Sequence, residues 1–268
     1  MQPQTLVRST SATFAAAGAC LVLWATLHPW DHLTGAAVGR TPQWIAAHTF
    51  HFLSGLLLLG AISGFAVLHV RRASRFGTIA AAVWFAGSAL WTGTGMITAY
   101  VWPTLAAHAP AMTEASGPIF SPPHPLIVVT NLLFAVGMVL TAVAMARAGL
   151  MPLAGAACLA VGGASILVPP HPIGPAPWAA FVAGAVLAGV GTAWVGAGIR
   201  RLADAAPSPA RTAEARAVGV HHGGLGAVRP QLQHRRGIAV QHLADGGVEA
   251  LHEVADGLLG AHRSVGWG

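Results

Sequence analysis

The chain has 268 residues, of which 54% are hydrophobic and only 8% are charged, and its formal net charge is +6. A typical soluble domain carries about 25% charged residues, so this composition excludes an ordinary soluble globular protein. The cations are all arginines, and they flank apolar segments in ones and twos. Such spacing is typical of membrane topology signals and not of a phosphate-binding surface, so no nucleic-acid partner is expected.

Six apolar stretches are long enough to cross a bilayer, which requires about 20 mostly apolar residues per helix. They span 9–27, 44–70, 76–102, 125–147, 149–168 and 177–199. The first could instead be a cleaved signal peptide, but no small-residue cleavage site follows His28, which favours a retained anchor. The sequence therefore predicts an all-α, polytopic membrane protein with a six-transmembrane-helix bundle in residues 1–200.

The loops predict an orientation in the cell membrane. The loops 28–43, 103–124 and 169–176 contain Arg40 as their only arginine, together with the acids Asp31 and Glu114. Cytoplasmic loops are enriched in arginine, so these three loops are expected to face outward and both termini to be cytoplasmic. The arginines of the other side are Arg8, Arg71, Arg72, Arg75, Arg147, Arg200 and Arg201. An interfacial aromatic belt is expected on the outer side, formed by Trp30, Trp44, Tyr100, Trp102 and Trp178.

Residues 201–268 differ in composition from the rest of the chain. They begin with an Ala-Pro-Ser-Pro-Ala linker and contain six of the eight acids of the protein. This composition predicts a mostly disordered, low-complexity cytoplasmic tail.

Glycines in the spans predict close helix packing. Gly60 and Gly64 form a GxxxG pair, and the glycines at 189, 191, 196 and 198 lie in the sixth span. Small residues let helix backbones approach each other in lipid. These glycines are expected to make contacts within one chain, and the sequence predicts no particular oligomeric state.

Histidines are concentrated on the outer side, which holds seven of the eight in the first 200 residues: His28, His32, His48, His51, His108, His124 and His171. Trp44, His48, His51 and Gly55 share one face of the second span, because they are spaced by four, three and four residues. Ionisable residues at membrane depth usually face the bundle interior. His48 and His51 are therefore predicted to share a ligand, or else to bond only to neighbouring helices.

A repeated Pro-Pro-His-Pro sequence places two further histidines at the same side. His124 precedes the fourth span and His171 follows the fifth. The prolines either only mark the ends of helices or hold the imidazoles over the outer end of the helix bundle. Asp31 is a candidate to orient one of the histidines, as carboxylates do at metal sites. His32 and His108 are expected to be loop residues, and His28 is marginal to the predicted site.

A polar lining is predicted below these histidines. Asn131 is seven residues after His124 and requires a partner in lipid, which the third span offers. The candidate lining residues of that span are Trp91, Thr92 and Thr98. They either join helices or line a pocket.

Three functions are compatible with this pattern. The leading hypothesis is an outward-facing, histidine-lined pocket that binds a transition metal ion or a single haem, with His48, His51, His124 and His171 as ligands. The alternatives are a membrane scaffold or assembly subunit with a protein partner in the bilayer, and a small permease or channel. The sequence contains no HExxH, GxSxG or P-loop motif, so no catalytic residue is predicted.

Overall fold

The computed structural model of the chain describes residues 3–29, 35–69, 74–114, 117–119, 125–167 and 175–204. These residues form helices and connecting turns, with no strand among them. The chain divides into two units between Ala206 and Pro207, and everything described belongs to the first unit. The predicted tail lies outside the described residues except for its first four positions.

Eight α-helices follow one another along the described chain. They are α1 Pro3–Leu27, α2 Ala36–Gly39, α3 Pro42–His69, α4 Arg75–Met96, α5 Trp102–His108, α6 Pro125–Arg147, α7 Leu153–Ser165 and α8 Pro175–Asp204. Within the described residues, five helical segments are long and apolar enough to cross a membrane: Gln4–Leu27, Pro42–Val67, Arg75–His108, Pro125–Arg147 and Trp178–Arg201. The predicted all-α fold of a polytopic membrane protein is confirmed.

The six longer helices pack side by side in a closed ring. Each contacts its neighbours in the order α1, α3, α4, α6, α7 and α8, and α8 returns to α1. Large side chains fill the middle of this ring and are fully buried: Phe14, Leu21, Leu58, Trp84, Phe134, Met138, Leu159 and Val195. Each of these six helices packs beside the next one in the chain, and they run alternately in opposite directions, so their ends alternate between two faces of the bundle.

Helix α7 is shorter than the predicted span 149–168. It has 13 residues, which is about 20 Å of helix, whereas a bilayer core is about 30 Å thick. Gly149, with a φ of +68°, ends α6 in the left-handed conformation that glycine adopts easily. Pro152 then delays the start of the next helix, because it lies at the N-cap of α7 with extended backbone angles. The fifth predicted span is therefore a short helix between α6 and α8.

The third predicted span continues beyond its expected end at residue 102. A π-helical turn, Ile97–Val101, joins α4 directly to α5, which ends at His108. Pro103 has no N–H group, and its ring would clash with the carbonyl of Ala99 in a regular α-helix. The wider π turn accommodates this proline without ending the helix. His108 is thus an exposed helix residue and not a loop residue.

Most of the predicted glycine contacts lie within the chain. In α8, Gly189 packs against Gly18 of α1, and Gly191 packs against Leu159 of α7. Gly64 faces Thr10 of α1, whereas a Cβ atom on Gly60 would meet no atom within 4 Å. The prediction is confirmed for the α8 glycines and for Gly64, and it is wrong for Gly60.

The close approach of α3 and α4 at Gly95 can be tested with a matched pair of substitutions. A Cβ atom at Gly95 would lie 2.7 Å from the backbone nitrogen of Phe52, so Gly95→Ala should push the helices apart. We expect a loss of about 1–3 kcal/mol in the free energy of unfolding. The control is Gly93→Ala, since a Cβ there would meet nothing within 4 Å. It should be neutral or stabilising by up to about 1 kcal/mol. Equal unfolding midpoints of the two variants in detergent would contradict the α3–α4 packing.

Candidate functional site

Most of the described arginines and histidines lie at opposite ends of the bundle, with Arg40 and His69 as exceptions. At one end, the guanidinium of Arg147, the last residue of α6, lies 5.4 Å from the ring of Phe76 at the start of α4. At the other end, Trp24 in the last turn of α1 and Phe181 in the second turn of α8 have ring centroids 5.0 Å apart. The one-sided distribution of the two residue types in the sequence therefore corresponds to two different faces of the molecule.

His48 and His51 are buried near the start of α3. Their side chains are 5% and 6% exposed, and their ring centroids are 6.0 Å apart. They lie six and nine residues after Pro42, the first residue of the helix, which is about 9 and 14 Å along its axis. The ring of Trp44 packs at a tilt against that of His48 with a centroid distance of 4.0 Å, so all three rings lie on one face of α3.

Helix α1 contributes two rings to the same place. His28 is 4% exposed, and its ring centroid lies 5.2 Å from that of His48. Trp24, one turn earlier, lies 5.0 Å from His51. The prediction treated His28 as marginal and did not consider Trp24. A repeated Trp-x-x-x-His spacing, at residues 24–28 and 44–48, is the sequence signal that connects the two helices.

These rings form one buried aromatic cluster, with Trp91 of α4 as a further member. We define the buried aromatic cluster as Trp24, His28, Trp44, His48, His51 and Trp91. Trp91 contacts His51 at a centroid distance of 4.1 Å and stacks on Phe134 of α6 at 4.4 Å. The cluster therefore lies where α1, α3 and α4 meet, and it contacts α6 and α8.

Two tryptophan N–H groups of the buried aromatic cluster fix α3 to α4. The indole of Trp44 donates to the backbone carbonyl of Thr98 at 2.9 Å, and this carbonyl belongs to the π turn. The indole of Trp91 donates to the hydroxyl of Ser54 at 3.2 Å. Ser54 in turn donates to the backbone carbonyl of His51 at 2.7 Å. The positions of both tryptophans are thus set by directional bonds as well as by packing.

The hydrogen bond of His48 determines its tautomer. Nδ1 of His48 lies 3.0 Å from the carbonyl oxygen of Trp44. A carbonyl oxygen can only accept, so Nδ1 carries the proton and the lone pair of the neutral ring is on Nε2. Metal-binding histidines usually show this arrangement, in which one ring nitrogen is oriented by a carbonyl or carboxylate.

His51 is the unusual member of the buried aromatic cluster. Both of its ring nitrogens are buried and neither makes a well-formed hydrogen bond, although the backbone of Trp91 lies close enough for a weak one. A buried polar group without a partner costs about 1–3 kcal/mol, and native structures contain few of them. The rings of Trp24 and Trp91 contact this imidazole and exclude water from it. A polar, uncharged donor–acceptor group is therefore held in an apolar, aromatic surrounding.

The remaining predicted site residues either lie outside the described residues or belong to α4, the π turn and α6. Asp31, His124 and His171 lie outside the described residues. Asn131 is half-buried on α6. The hydroxyl groups of Thr92 and Thr98 donate to carbonyls of their own helix, Ser88 and Thr94 respectively. Among the side chains that the structure describes, no three histidine, cysteine, aspartate or glutamate residues are grouped so as to hold a metal ion.

The predicted aromatic belt requires a correction. Trp44 and Trp102 are only 6% and 5% exposed, and they form a small second core with Val38. Helices α2 and α5 pack against each other over these rings, and Gly39 permits the contact because a Cβ there would lie 2.7 Å from the Trp102 ring. Tyr100 is exposed, as a belt residue would be. These two tryptophans are therefore core residues and not interfacial anchors.

No known protein family, curated protein or solved structure matches this chain. What the protein does is therefore inferred from its own residues.

Trp44 and Trp24 allow a test of the bond between the cluster and the π turn. Trp44→Phe removes an indole N–H that donates to Thr98, whereas Trp24→Phe removes an indole N–H that has no partner. Both substitutions shorten a buried ring in the same cluster. We expect Trp44→Phe to cost about 1 kcal/mol more in unfolding free energy than Trp24→Phe. An equal loss of thermal stability in detergent would show that the bond to the π turn contributes nothing.

Proposed function

We propose that the protein is a multi-pass membrane protein that binds one transition metal ion at His48 and His51. The observation that supports this proposal is the buried imidazole of His51, whose two ring nitrogens make no well-formed hydrogen bond. A bound ion would give one of these nitrogens a strong partner and so offset the cost of burying it. Such unsatisfied groups are otherwise rare in protein interiors.

The chemistry of the two rings is compatible with one shared ion. Neutral imidazole is a ligand for copper, zinc, iron and nickel, and copper(II) binds most strongly among the divalent ions of the first transition row. His48 would use Nε2, because its Nδ1 proton is held by the Trp44 carbonyl. The centroid separation of 6.0 Å is within the span of two imidazoles that each bond one ion at about 2 Å. The protein would supply two nitrogen ligands in a dry, aromatic surrounding.

A complete coordination shell requires more than this pair. The sequence offers His124 and His171, with Asp31 as an orienting carboxylate, and water could fill an open position as it does in catalytic zinc sites. Among the described histidines, His28 is the next candidate for a metal ligand, since its ring centroid lies 5.2 Å from that of His48. The ring contacts of His51 with Trp24 and Trp91, at 5.0 and 4.1 Å, favour a single ion over the broad plane of a haem.

Metal binding can be tested with substitutions that leave the fold in place. Purified full-length protein should bind one equivalent of Cu²⁺ or Zn²⁺, measured by elemental analysis after removal of free metal, and should show no Soret band. His51→Phe should reduce the bound metal to background. It should not lower the stability of the metal-free protein, because it removes two unsatisfied polar atoms from an aromatic cluster.

The control is His108→Phe, which removes an exposed histidine from the end of α5. This variant should bind as much metal as the unaltered protein. If the unaltered protein binds no ion, or if His51→Phe retains it, the metal proposal fails.

A second candidate function is a membrane scaffold or assembly subunit. Two hydrogen bonds favour it, from Trp44 to Thr98 and from Trp91 to Ser54, because they show cluster residues joining helices. In that case the unaltered protein would retain no metal, and His51→Phe would leave its stability and its binding to the partner protein unchanged. The third hypothesis, a small permease, is favoured by no contact of the described residues.

The orientation of the bundle is also part of this proposal. We propose that it lies in the cell membrane with the arginine end cytoplasmic and the buried aromatic cluster in the outer half. The positive-inside rule supports this orientation, since Arg8, Arg75, Arg147, Arg200 and Arg201 flank the helix ends of one face.

Cysteine labelling tests the orientation with two alanines at exposed positions. Ala111→Cys follows α5 at the histidine end, and Ala148→Cys follows α6 at the arginine end. The native thiols Cys20 and Cys158 would first be replaced by alanine. In intact cells a membrane-impermeant maleimide should label Ala111→Cys and not Ala148→Cys, while both react after lysis. The reverse pattern would invert the proposed topology.

A further inference from the structure

A groove between α1 and α8 opens at the arginine end of the bundle. It has a volume of about 400 Å³ and is bordered by Arg200 and Arg201. Its walls are otherwise made of small side chains: Ser11, Ala12 and Ala15 from α1, and Ala193 and Ala197 from α8. It is separate from the buried aromatic cluster, which lies at the other end of the same helices.

The sequence explains the shape of this groove. On α8 the lining positions recur at intervals of four, three and one residues from Ala193 to Arg201, so they share one face of the helix. The backbones of α1 and α8 approach closely beside the groove. A Cβ atom at Gly196 would lie only 2.6 Å from the carbonyl oxygen of Ser11. Alanines on both walls leave the space between the helices unfilled. Ala12 and Ala15 are exposed, so the groove faces the surroundings of the bundle, which in a membrane are lipid.

The charge of the groove is positive. Arg200 and Arg201 are both exposed, and Arg8 lies one helical turn before Ser11, on the same face of α1. Among the acids of the protein, only Glu114 has a described side chain, and it lies at the opposite end, where it accepts from the backbone N–H of Ala36. Asp204 ends α8 four residues after Arg200, and its side chain is outside the described set. No described carboxylate therefore neutralises the arginines.

We infer that this groove binds an anionic phospholipid from the leaflet at the arginine end of the bundle. Guanidinium groups bind phosphate oxygens in pairs of parallel hydrogen bonds, which suits Arg200 and Arg201 to the headgroup phosphate. An acyl chain would lie along the alanines of both walls. Basic pockets between transmembrane helices bind anionic headgroups in this way. The inference is independent of the proposed metal site.

The test compares two lipids that differ only in headgroup. Purified full-length protein in an uncharged maltoside detergent is titrated with phosphatidylglycerol or with phosphatidylcholine of the same acyl chains, and the bound fraction is measured by native mass spectrometry. We expect one phosphatidylglycerol to bind at least about tenfold more tightly than phosphatidylcholine. Replacing both Arg200 and Arg201 with glutamine should remove this preference.

Two control variants separate the groove from the general charge of this face. Arg75→Gln with Arg147→Gln removes two arginines of the same end that lie outside the groove, and it should leave the preference unchanged. Ala15→Leu with Ala193→Leu keeps every charge but fills the groove, and it should weaken phosphatidylglycerol binding. The inference is overturned if the Arg75–Arg147 variant loses the preference equally, if the filled groove binds as before, or if inorganic phosphate displaces the lipid.

Discussion

The absence of water in a bilayer core is the constraint on which this structure depends. Each polar group within a spanning segment must find a partner inside the protein, because lipid offers none. The hydroxyl groups of the helices show how the chain meets this requirement: Thr13, Thr26, Thr49, Ser63, Thr92, Thr98 and Thr192 all donate to carbonyls within their own helix. A threonine or serine on these helices can therefore satisfy its hydroxyl group without a partner on a neighbouring helix.

A histidine cannot satisfy its whole ring by hydrogen bonds to its own helix. Its ring has two nitrogens on opposite sides, so a bond to the preceding turn, such as the one that Nδ1 of His48 makes, leaves the second nitrogen in need of a different partner. Buried hydroxyls without partners also occur, at Ser88, Thr130 and Thr141, but each leaves one atom unsatisfied. His51 leaves two. Burying His51 among tryptophans therefore costs more free energy than burying any of these hydroxyl groups. A function that uses the imidazole ring is the simplest reason for the protein to retain this residue.

Close backbone packing makes this arrangement possible. Gly55 of α3 lies against Thr92 of α4, and Gly95 of α4 lies against Phe52 of α3, so the two helices interlock on both sides of the cluster. This separation brings the ring of Trp91 within 4.1 Å of His51. A bulkier residue at either glycine would move Trp91 away and admit lipid or water to the imidazole. The glycines therefore help to set the positions of the rings in the buried aromatic cluster.

The sequence predicted the fold well and the site only in part, for physical reasons. Hydropathy identifies spans because lipid enforces long apolar segments, and helical spacing alone placed His48 beside His51. The contribution of His28 and Trp24 depends on α1 packing next to α3, which no local pattern reveals. Pro103 was visible in the sequence, but whether it ends a helix depends on tertiary contacts. Here the helix continues as α5, where Trp102 packs against Gly39 of α2, and the resulting π turn offers Trp44 a carbonyl acceptor.

The two ends of the bundle differ in how they accommodate polar groups, although the same helices form both ends. At the arginine end, permanent charges stay exposed beside a groove of alanines, where solvent and headgroups can stabilise them. At the histidine end, groups that are neutral at physiological pH can be buried at a far lower cost than an arginine. Helices α1 and α8 take part in both ends. They carry small residues and Arg200 beside the groove, and Trp24 and Phe181 at the histidine end. The same pair of helices therefore joins exposed charges at one end to buried rings at the other, and each end can bury only the groups that its surroundings tolerate.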